Sequence, residues 1–298
     1  MIFRPRTPVV GTVCALLATL LGISLAPVLT TSATAAGGGQ ARVGSFNINA
    51  SRSTAVFKNA VRHFRQSVDV AGLQEVTSKE KTAFLHSMRG WAAYGPDELH
   101  ANPIIWRKSV FKGISGHGVK IASARNVGNE KPGAPAHRTP QYATVARLQN
   151  RATGVKISVI NVHLVAGAVN GGRCVKDAPR LCELYKDSVA GLRRAAAQER
   201  SWANGRVYVI GDMNDNYPAD KRHKRRPLAF AQLRSASLVA HWERRREILP
   251  SRGSGTRGGA YLDQIWARRK PARIDVDRSI NVSDHYPIVA VYDVRATA

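Results

Sequence analysis

The stretch Arg206–Asn216, RVYVIGDMNDN, constrains this chain more than any other. Val207, Tyr208, Val209 and Ile210 form an apolar run of the kind that is buried on both faces of a sheet. Gly211 then opens onto Asp212, Asn214 and Asp215, so a buried strand delivers carboxylates and an amide to a sheet edge. Strand ends are where α/β folds carry chemistry, because the strand is rigid and the loop after it is free to vary. An Asn/Asp-rich turn leaving a core strand reads the same way in isolation. The rest of the chain decides between the two.

Upstream, Arg42–Ile48 and Val68–Leu73 have the composition of strands, and the spacing of Val56, Ala60, Val61 and Phe64 predicts a helix over Thr54–Gln66. A second helix is predicted over Thr77–Met88, capped by Thr77 or Ser78. Strand, helix, strand, helix is the order of a layered α/β domain. From Trp91 the pattern changes to short strands, among them Pro103–Trp106, Gln141–Leu148 and Lys156–Val165, with a hairpin turn at Asn150–Gly154. Lys131–Pro140 is a Pro-containing loop that carries His137 and Arg138. An extended loop to Cys182 and a long helix over Glu183–Asn204 precede the Val207 strand. After it come the basic run Lys221–Arg226, a helix over Pro227–Leu238, and strands at Tyr261–Ala267 and within Ser283–Val294.

The first 36 residues have the form of an export signal: Arg4 and Arg6, an uncharged apolar run over Val9–Leu29, and the cleavage triplet Ala33-Thr34-Ala35. A retained membrane anchor is the other reading of a run that long; Pro27 and the small residues after it favour cleavage, leaving no stable anchor. Residues 37–41 read as a flexible leader, and residues 42–298 as one domain undivided by any linker. The formal charge is +25, and still +23 without Arg4 and Arg6. Such an excess points to polyanionic partners, because each phosphate neutralised releases condensed counterions. Of three cysteines, Cys14 lies in the signal; Cys174 and Cys182 are expected to form a disulfide in an exported protein.

Polar residues recur at strand ends: Asn47, Glu75, His163, Asp212, Asn214, Asp263, Asp284 and His285. Packing does not ask for carboxylates and imidazoles at so many ends, and burying them is costly unless they pair or hold a metal. The residue types suit metal-assisted hydrolysis of a phosphate ester. Carboxylates such as Glu75 and Asp284 are ligands for Mg²⁺ or Ca²⁺, and His285 beside Asp263 can take a proton from water.

FNIN (46–49), LQEV (73–76), NVHL (161–164), GDMND (211–215), LDQIW (262–266) and SDHYP (283–287) stand in the order found in the endonuclease/exonuclease/phosphatase superfamily. That group includes deoxyribonuclease I, apurinic endonucleases, neutral sphingomyelinases and inositol polyphosphate 5-phosphatases. The chain resembles it from Arg42 to Val294. The resemblance implies a four-layer α/β sandwich, two facing mixed β-sheets flanked by helices, as in deoxyribonuclease I. It implies a metal site, for Mg²⁺ or in its place Ca²⁺ or Mn²⁺, at Glu75 with Asn47 and Asp284 close by. It implies a His285–Asp263 pair acting as general base or as phosphate ligand. Asp212 would hold the attacking water and Asn214 the phosphate. His163 fills a position that is histidine in deoxyribonuclease I and tyrosine in apurinic endonucleases. Arg138 resembles an arginine of deoxyribonuclease I that contacts phosphate.

Fold does not select substrate. Charge and export favour a secreted, monomeric nuclease acting on DNA more than RNA. Lys221, Arg222, Lys224 and Arg225 are candidate nucleic-acid contacts, as are Arg244–Arg246 and Arg268–Lys270. A secreted phospholipase C of the sphingomyelinase kind is the alternative within the superfamily, though the chain lacks a long apolar hairpin insertion. A non-catalytic nucleic-acid binder is the alternative outside it; every expected polar position being filled speaks against that.

Overall fold

The structure, a computed structural model, describes residues 39–96, 101–131, 133, 135–244 and 255–295. The export signal, and residues 245 and 246 of the Arg244–Arg246 run, lie outside the described residues. The chain begins β1 (Gln40–Asn47), α1 (Thr54–Ser67), β2 (Val70–Gln74), α2 (Lys79–Ser87), β3 (Trp91–Tyr94) and β4 (Ile104–Arg107). It continues β5 (Phe111–Ala122), β6 (Arg125–Asn126), β7 (His137–Arg138), β8 (Gln141–Asn150), β9 (Lys156–His163), β10 (Val169–Asn170), β11 (Arg173–Cys174) and α3 (Pro179–Trp202). The last third is β12 (Val207–Asp212), α4 (Tyr217–Arg222), α5 (Ala229–Ser235), β13 (Val239–Ala240), β14 (Asp263–Ala267), β15 (Arg273–Val276) and β16 (Ile288–Asp293).

Two six-stranded mixed sheets result, ordered β15-β16-β1-β2-β4-β3 and β13-β14-β12-β9-β8-β5. Alternation along β1 and β2 sends Phe46, Ala71 and Leu73 to one side, where they pack on Phe57, Val61 and Phe64 of α1 and Leu85 of α2. Val43 and Val70 point the other way, into a second cluster that also takes in Val159 and Ile210 of the facing sheet and Tyr185, Val189 and Leu192 of α3. Helices thus cover both outer faces, giving the four layers expected.

The inter-sheet space changes character along its length. In the second sheet, the register sets Val159, Tyr208 and Ala267 side by side, then Asn161, Ile210 and Ile265, then His163, Asp212 and Asp263. The first row is apolar, and the Tyr208 ring meets the Tyr292 ring of β16 edge to face, centroids 5.0 Å apart. In the middle row the Asn161 amide crosses between sheets, donating to the carbonyls of Leu73 (2.9 Å) and Pro103 (3.0 Å) and accepting from Gln74 Nε2 (2.6 Å). Gly72 leaves room for it: a Cβ there would lie 2.4 Å from the Asn161 side chain. The third row is fully polar and lies where the sandwich opens.

Three elements depart from the sequence reading. The long helix begins at Pro179 rather than Glu183, since proline suits the first turn of a helix, so Cys182 belongs to the helix and not to a loop. Cys174 and Cys182 are bonded, with Cα atoms 5.5 Å apart, tying β11 to the first turns of α3. β5 has too many glycines to read as a strand, yet those glycines are what the packing needs. A Cβ on Gly116 would strike the Tyr94 ring at 2.6 Å, and one on Gly113 the Trp106 ring at 2.9 Å. The basic run starts inside α4, a helix of six residues that carries little hydrophobic periodicity of its own.

Candidate active site

The site is the last polar row of the sandwich together with the loops that leave it. β9 and β12 run parallel and β14 antiparallel, so His163 and Asp212 end their strands where Asp263 begins its own. β1 and β2 likewise run parallel and end together at Asn47 and Gln74, while β16 enters antiparallel, bringing His285 in just before it. Gly211 makes the Asp212 placement possible. Its φ is 142°, and a Cβ there would lie 1.8 Å from the Val162 carbonyl oxygen, so no other residue fits between these two strands.

Asp212 is the centre of the arrangement. Its Oδ1 accepts from the Asn214 backbone N–H at 2.8 Å. Its Oδ2 accepts from Asn47 Nδ2 at 3.1 Å and faces His163 Nε2 at 3.5 Å and His285 Nε2 at 3.7 Å. The same Asn47 amide donates to Glu75 Oε1 at 2.9 Å, so one side chain links carboxylates from both sheets. Strand alternation alone would turn Glu75 toward α1. A left-handed backbone, φ 63°, turns it inward, and the Ala50 N–H donates to its Oε2 at 2.6 Å. Asn49 and Asn214 are left-handed as well, at φ 55° and 47°. Such conformations cost on the order of 1 kcal/mol each and gather where surrounding contacts enforce them.

His285 Nδ1 lies 2.7 Å from Asp263 Oδ2. Both residues are almost wholly buried, and Asp263 Oδ1 has no hydrogen-bond partner. Burial pushes the imidazole down, but the Asp263 and Asp212 carboxylates outweigh it and lift His285 to about 9. Burial raises Asp263 against the pull of His285. Asp284 stands apart from this pair. It accepts from Asn49 Nδ2 at 3.0 Å and pairs with Arg257 Nη2 at 2.7 Å, and its carboxyl is held below the usual range, burial being overridden by these partners. The Asn214 amide donates to the Leu164 carbonyl at 2.8 Å, which fixes the turn after His163.

The donor set suits a hard divalent cation. Asp212, Asp263 and His285 each place a ligand atom within 4.8 Å of the others, and Glu75 approaches through Asn47. Three carboxylates set against the His285 imidazolium and the buried Lys81 ammonium near Glu75 still leave net negative charge in a largely buried place, and oxygen-rich sets of this kind bind such ions.

The structure therefore brings together Asn47, Glu75, His163, Asp212, Asn214, Asp263 and His285, with Asp284 on the rim. Arg138, on β7, has buried Nε and Nη2 atoms without a partner. Lys221 is paired with Glu243 at 2.7 Å, whereas Arg222, Lys224 and Arg225 are exposed and make no ion pair among the described residues. Arg268–Lys270 follow Ala267, which pairs with Tyr208 near the start of β12, while Asp212 ends that strand. They border a cleft at the opposite end of the sandwich, roughly 17 Å from the polar row. Asn49, Lys131 and Arg257 were not legible as site residues, being single polar residues in loops.

No curated protein matches the chain in sequence. Solved structures share its fold. An endonuclease/exonuclease/phosphatase from Bacteroides vulgatus superimposes with a TM-score of 0.60 at 15% identity, covering 86% of this chain and 99% of that one. A mannosyl-6-phosphatase from Bacteroides thetaiotaomicron gives 0.57 at 14% identity, covering 84% and 99%. D. rerio TDP2, complexed with a single-strand DNA product, gives 0.53 at 15% identity, covering 85% and 98%. The family model described as Endonuclease/Exonuclease/phosphatase family matches residues 44–285, the span from β1 to His285 that builds the polar row, and the chain belongs to that family of phosphoester hydrolases.

Proposed function

We propose that the chain is an exported, Mg²⁺-dependent nuclease that hydrolyses phosphodiester bonds in nucleic acid, DNA in preference to RNA, and acts as a monomer. The observation that carries this reading is the convergence of carboxylates from both sheets on one amide, beside a buried His285–Asp263 pair, in a chain of net charge +25. Glu75 and Asp212 would hold the cation, with Asp284 within reach from the rim. Bound there, such a cation would supply charge neutralisation at the phosphate oxygens. Asp263 orients the His285 ring through Nδ1, leaving Nε2 directed at Asp212, 3.7 Å away, where an attacking water would be held. His163, one strand away and a quarter exposed, is placed to donate to a phosphate oxygen.

The fold leaves the substrate open, since its structural relatives include both a sugar phosphatase and a protein held with DNA. Charge supports the nucleic-acid reading. Among the described residues no helix is long and apolar enough to cross a membrane, and Ile114 is the single large hydrophobic side chain that is exposed. That leaves little apolar surface for a phospholipase to lay on a bilayer.

Incubating the mature protein with plasmid DNA, RNA and sphingomyelin liposomes, in Mg²⁺ or EDTA, tests the reading. Plasmid should be nicked only with Mg²⁺, RNA cut more slowly and liposomes left intact; hydrolysis of sphingomyelin alone, or cutting undiminished in EDTA, overturns it. DNA affinity should also fall steeply with salt, about 10²-fold between about 50 and 200 mM if four phosphates are contacted. A flat response would remove charge from the argument.

A further inference from the structure

At the end of the sandwich away from the polar row, a second cleft of about 670 Å³ opens between the start of β12, the end of β14 and the end of β16. That is room for a whole small ligand or a length of chain, where a single ion would rattle. Its buried lining includes Tyr208 and Tyr292, each 3% exposed, whose rings meet across the two sheets. The Tyr292 hydroxyl is buried and has no hydrogen-bond partner. Burial pushes both phenols up, so both stay protonated and able to donate.

Around these tyrosines stand Arg206, Arg268, Arg269, Lys270 and Arg295, against one lining carboxylate among the described residues, Asp293. Arg295 already takes that carboxylate, its Nε donating to Oδ1 at 3.1 Å and to Oδ2 at 3.0 Å. Arg206 Nη2 donates to the Arg295 carbonyl at 3.2 Å. Arg268 lies against Gly205, where a Cβ would come within 2.9 Å of its Nη1, so the turn after α3 makes room for the guanidinium. Arg206, Arg268, Arg269 and Lys270 make no ion pair among the described residues. Four cations without a counter-charge repel one another in the free protein, and a polyanion entering the cleft relieves that while releasing its own counterions.

A nucleic-acid strand fits this cleft better than a bilayer does. Guanidinium forks match phosphate oxygens two at a time, and a strand can bend into a concave site where a flat surface cannot. Ile114, the single large hydrophobic side chain exposed among the described residues, lies on β5, at the far edge of the second sheet from β14. The cleft therefore offers no apolar anchor to a membrane. It lies at the opposite end of β12 from Asp212, roughly 17 Å away with packed core between. A phosphate held there belongs to another segment of the substrate or to another molecule.

We propose that Arg206, Arg268, Arg269 and Lys270 form a second nucleic-acid site, remote from the reacting centre, that grips a separate stretch of strand and keeps the protein on long substrates. This deepens the nuclease reading and rests on it. Holding one stretch raises the effective concentration of the rest of the same molecule at the reacting centre.

The double variant Arg269→Gln/Lys270→Gln tests the site, both side chains being exposed and far from the polar row. In EDTA, where cutting stops, the anisotropy of a fluorescein-labelled DNA strand of about 30 nucleotides reads binding alone. Affinity should fall about tenfold at about 100 mM salt, and the slope of log K against log salt should shrink by about 1.4, two phosphate contacts at about 0.7 each. In Mg²⁺, KM for plasmid should rise about fivefold or more, while kcat/KM on a strand of about four nucleotides, too short to run round the fold between the two sites, stays within about twofold of the wild type. Equal losses on the short strand and the plasmid overturn the proposal, as do unchanged strand affinity and salt slope in EDTA. A variant that keeps its strand affinity but no longer adsorbs to phosphatidylglycerol vesicles would assign the cleft to a membrane and overturn it too. Failure of the nuclease reading is separable: the wild type would then cut neither plasmid nor short strand, and the titration in EDTA would still decide the second site.

Discussion

His285→Ala is expected to lower kcat by about 10³-fold or more, the range spanned by the loss of a positioned proton-transfer group together with a phosphate contact. Stability must be read beside rate, because the side chain is buried against Asp263, and removing it leaves that carboxylate without its cation. Breaking a buried pair in this way costs about 3–5 kcal/mol. The double variant His285→Ala/Asp263→Asn removes the stranded charge and should regain much of the lost stability while remaining inactive. Melting temperature in EDTA and kcat in Mg²⁺ separate the two effects. An inactive single variant that melts like the wild type would mean Asp263 is satisfied by other groups. A His285→Ala protein with more than about a tenth of wild-type kcat would show that proton transfer and phosphate contact are supplied elsewhere.

Asp215→Asn is expected to change how stability depends on pH. Asp215 and Asp220 are both about 1% exposed, and three of their four carboxylate oxygens accept no hydrogen bond from any other residue, the two carboxyls meeting one another instead. The Phe230 N–H donates to the fourth, Asp220 Oδ2, at 2.6 Å. Burial first, and the Asp220 carboxyl second, push Asp215 up to about 9; burial raises Asp220 too. The folded pair therefore keeps a proton that the unfolded chain releases near pH 4. Below that pH both states carry it. From about pH 4 to about 9 only the folded state does, so this site lowers stability as pH rises, by at most about 1.4 kcal/mol per pH unit.

Asparagine cannot ionise and can donate to Asp220 from its amide. The variant should match the wild type near pH 4 and melt higher at pH 6.5, by roughly 5 °C or more for a domain of this size. Comparison at or below pH 6.5 keeps His285 out of the difference, since the stability it adds is intact there and fades only toward pH 9. Equal melting temperatures across the whole range would mean that Asp215 is ionised in the fold and its charge met by a bound cation.

Much of the chemistry was legible in the chain itself. Six short motifs, each setting a carboxylate, amide or imidazole at one end of an apolar strand, pointed to the family and its layered fold, because period-two burial and strand-end polarity are written directly in residue order. The Gly211 requirement was present in the sequence as a glycine, although its reason, a backbone 1.8 Å from any Cβ, belongs to the register of β9 and β12.

What residue order could not show is which polar groups meet. Asn47 and Asp212, 165 positions apart, share a hydrogen bond because two sheets face each other, and Glu75 joins them only through a left-handed backbone. The same packing separated Arg268–Lys270 from the cleft and put Lys131 and Arg257 on its rim, though all are basic residues in polar segments. Local sequence determines how a strand begins, ends and alternates, whereas the distance between charges on different strands is set by how the sheets stack. That stacking decides which carboxylates must share a proton or a cation.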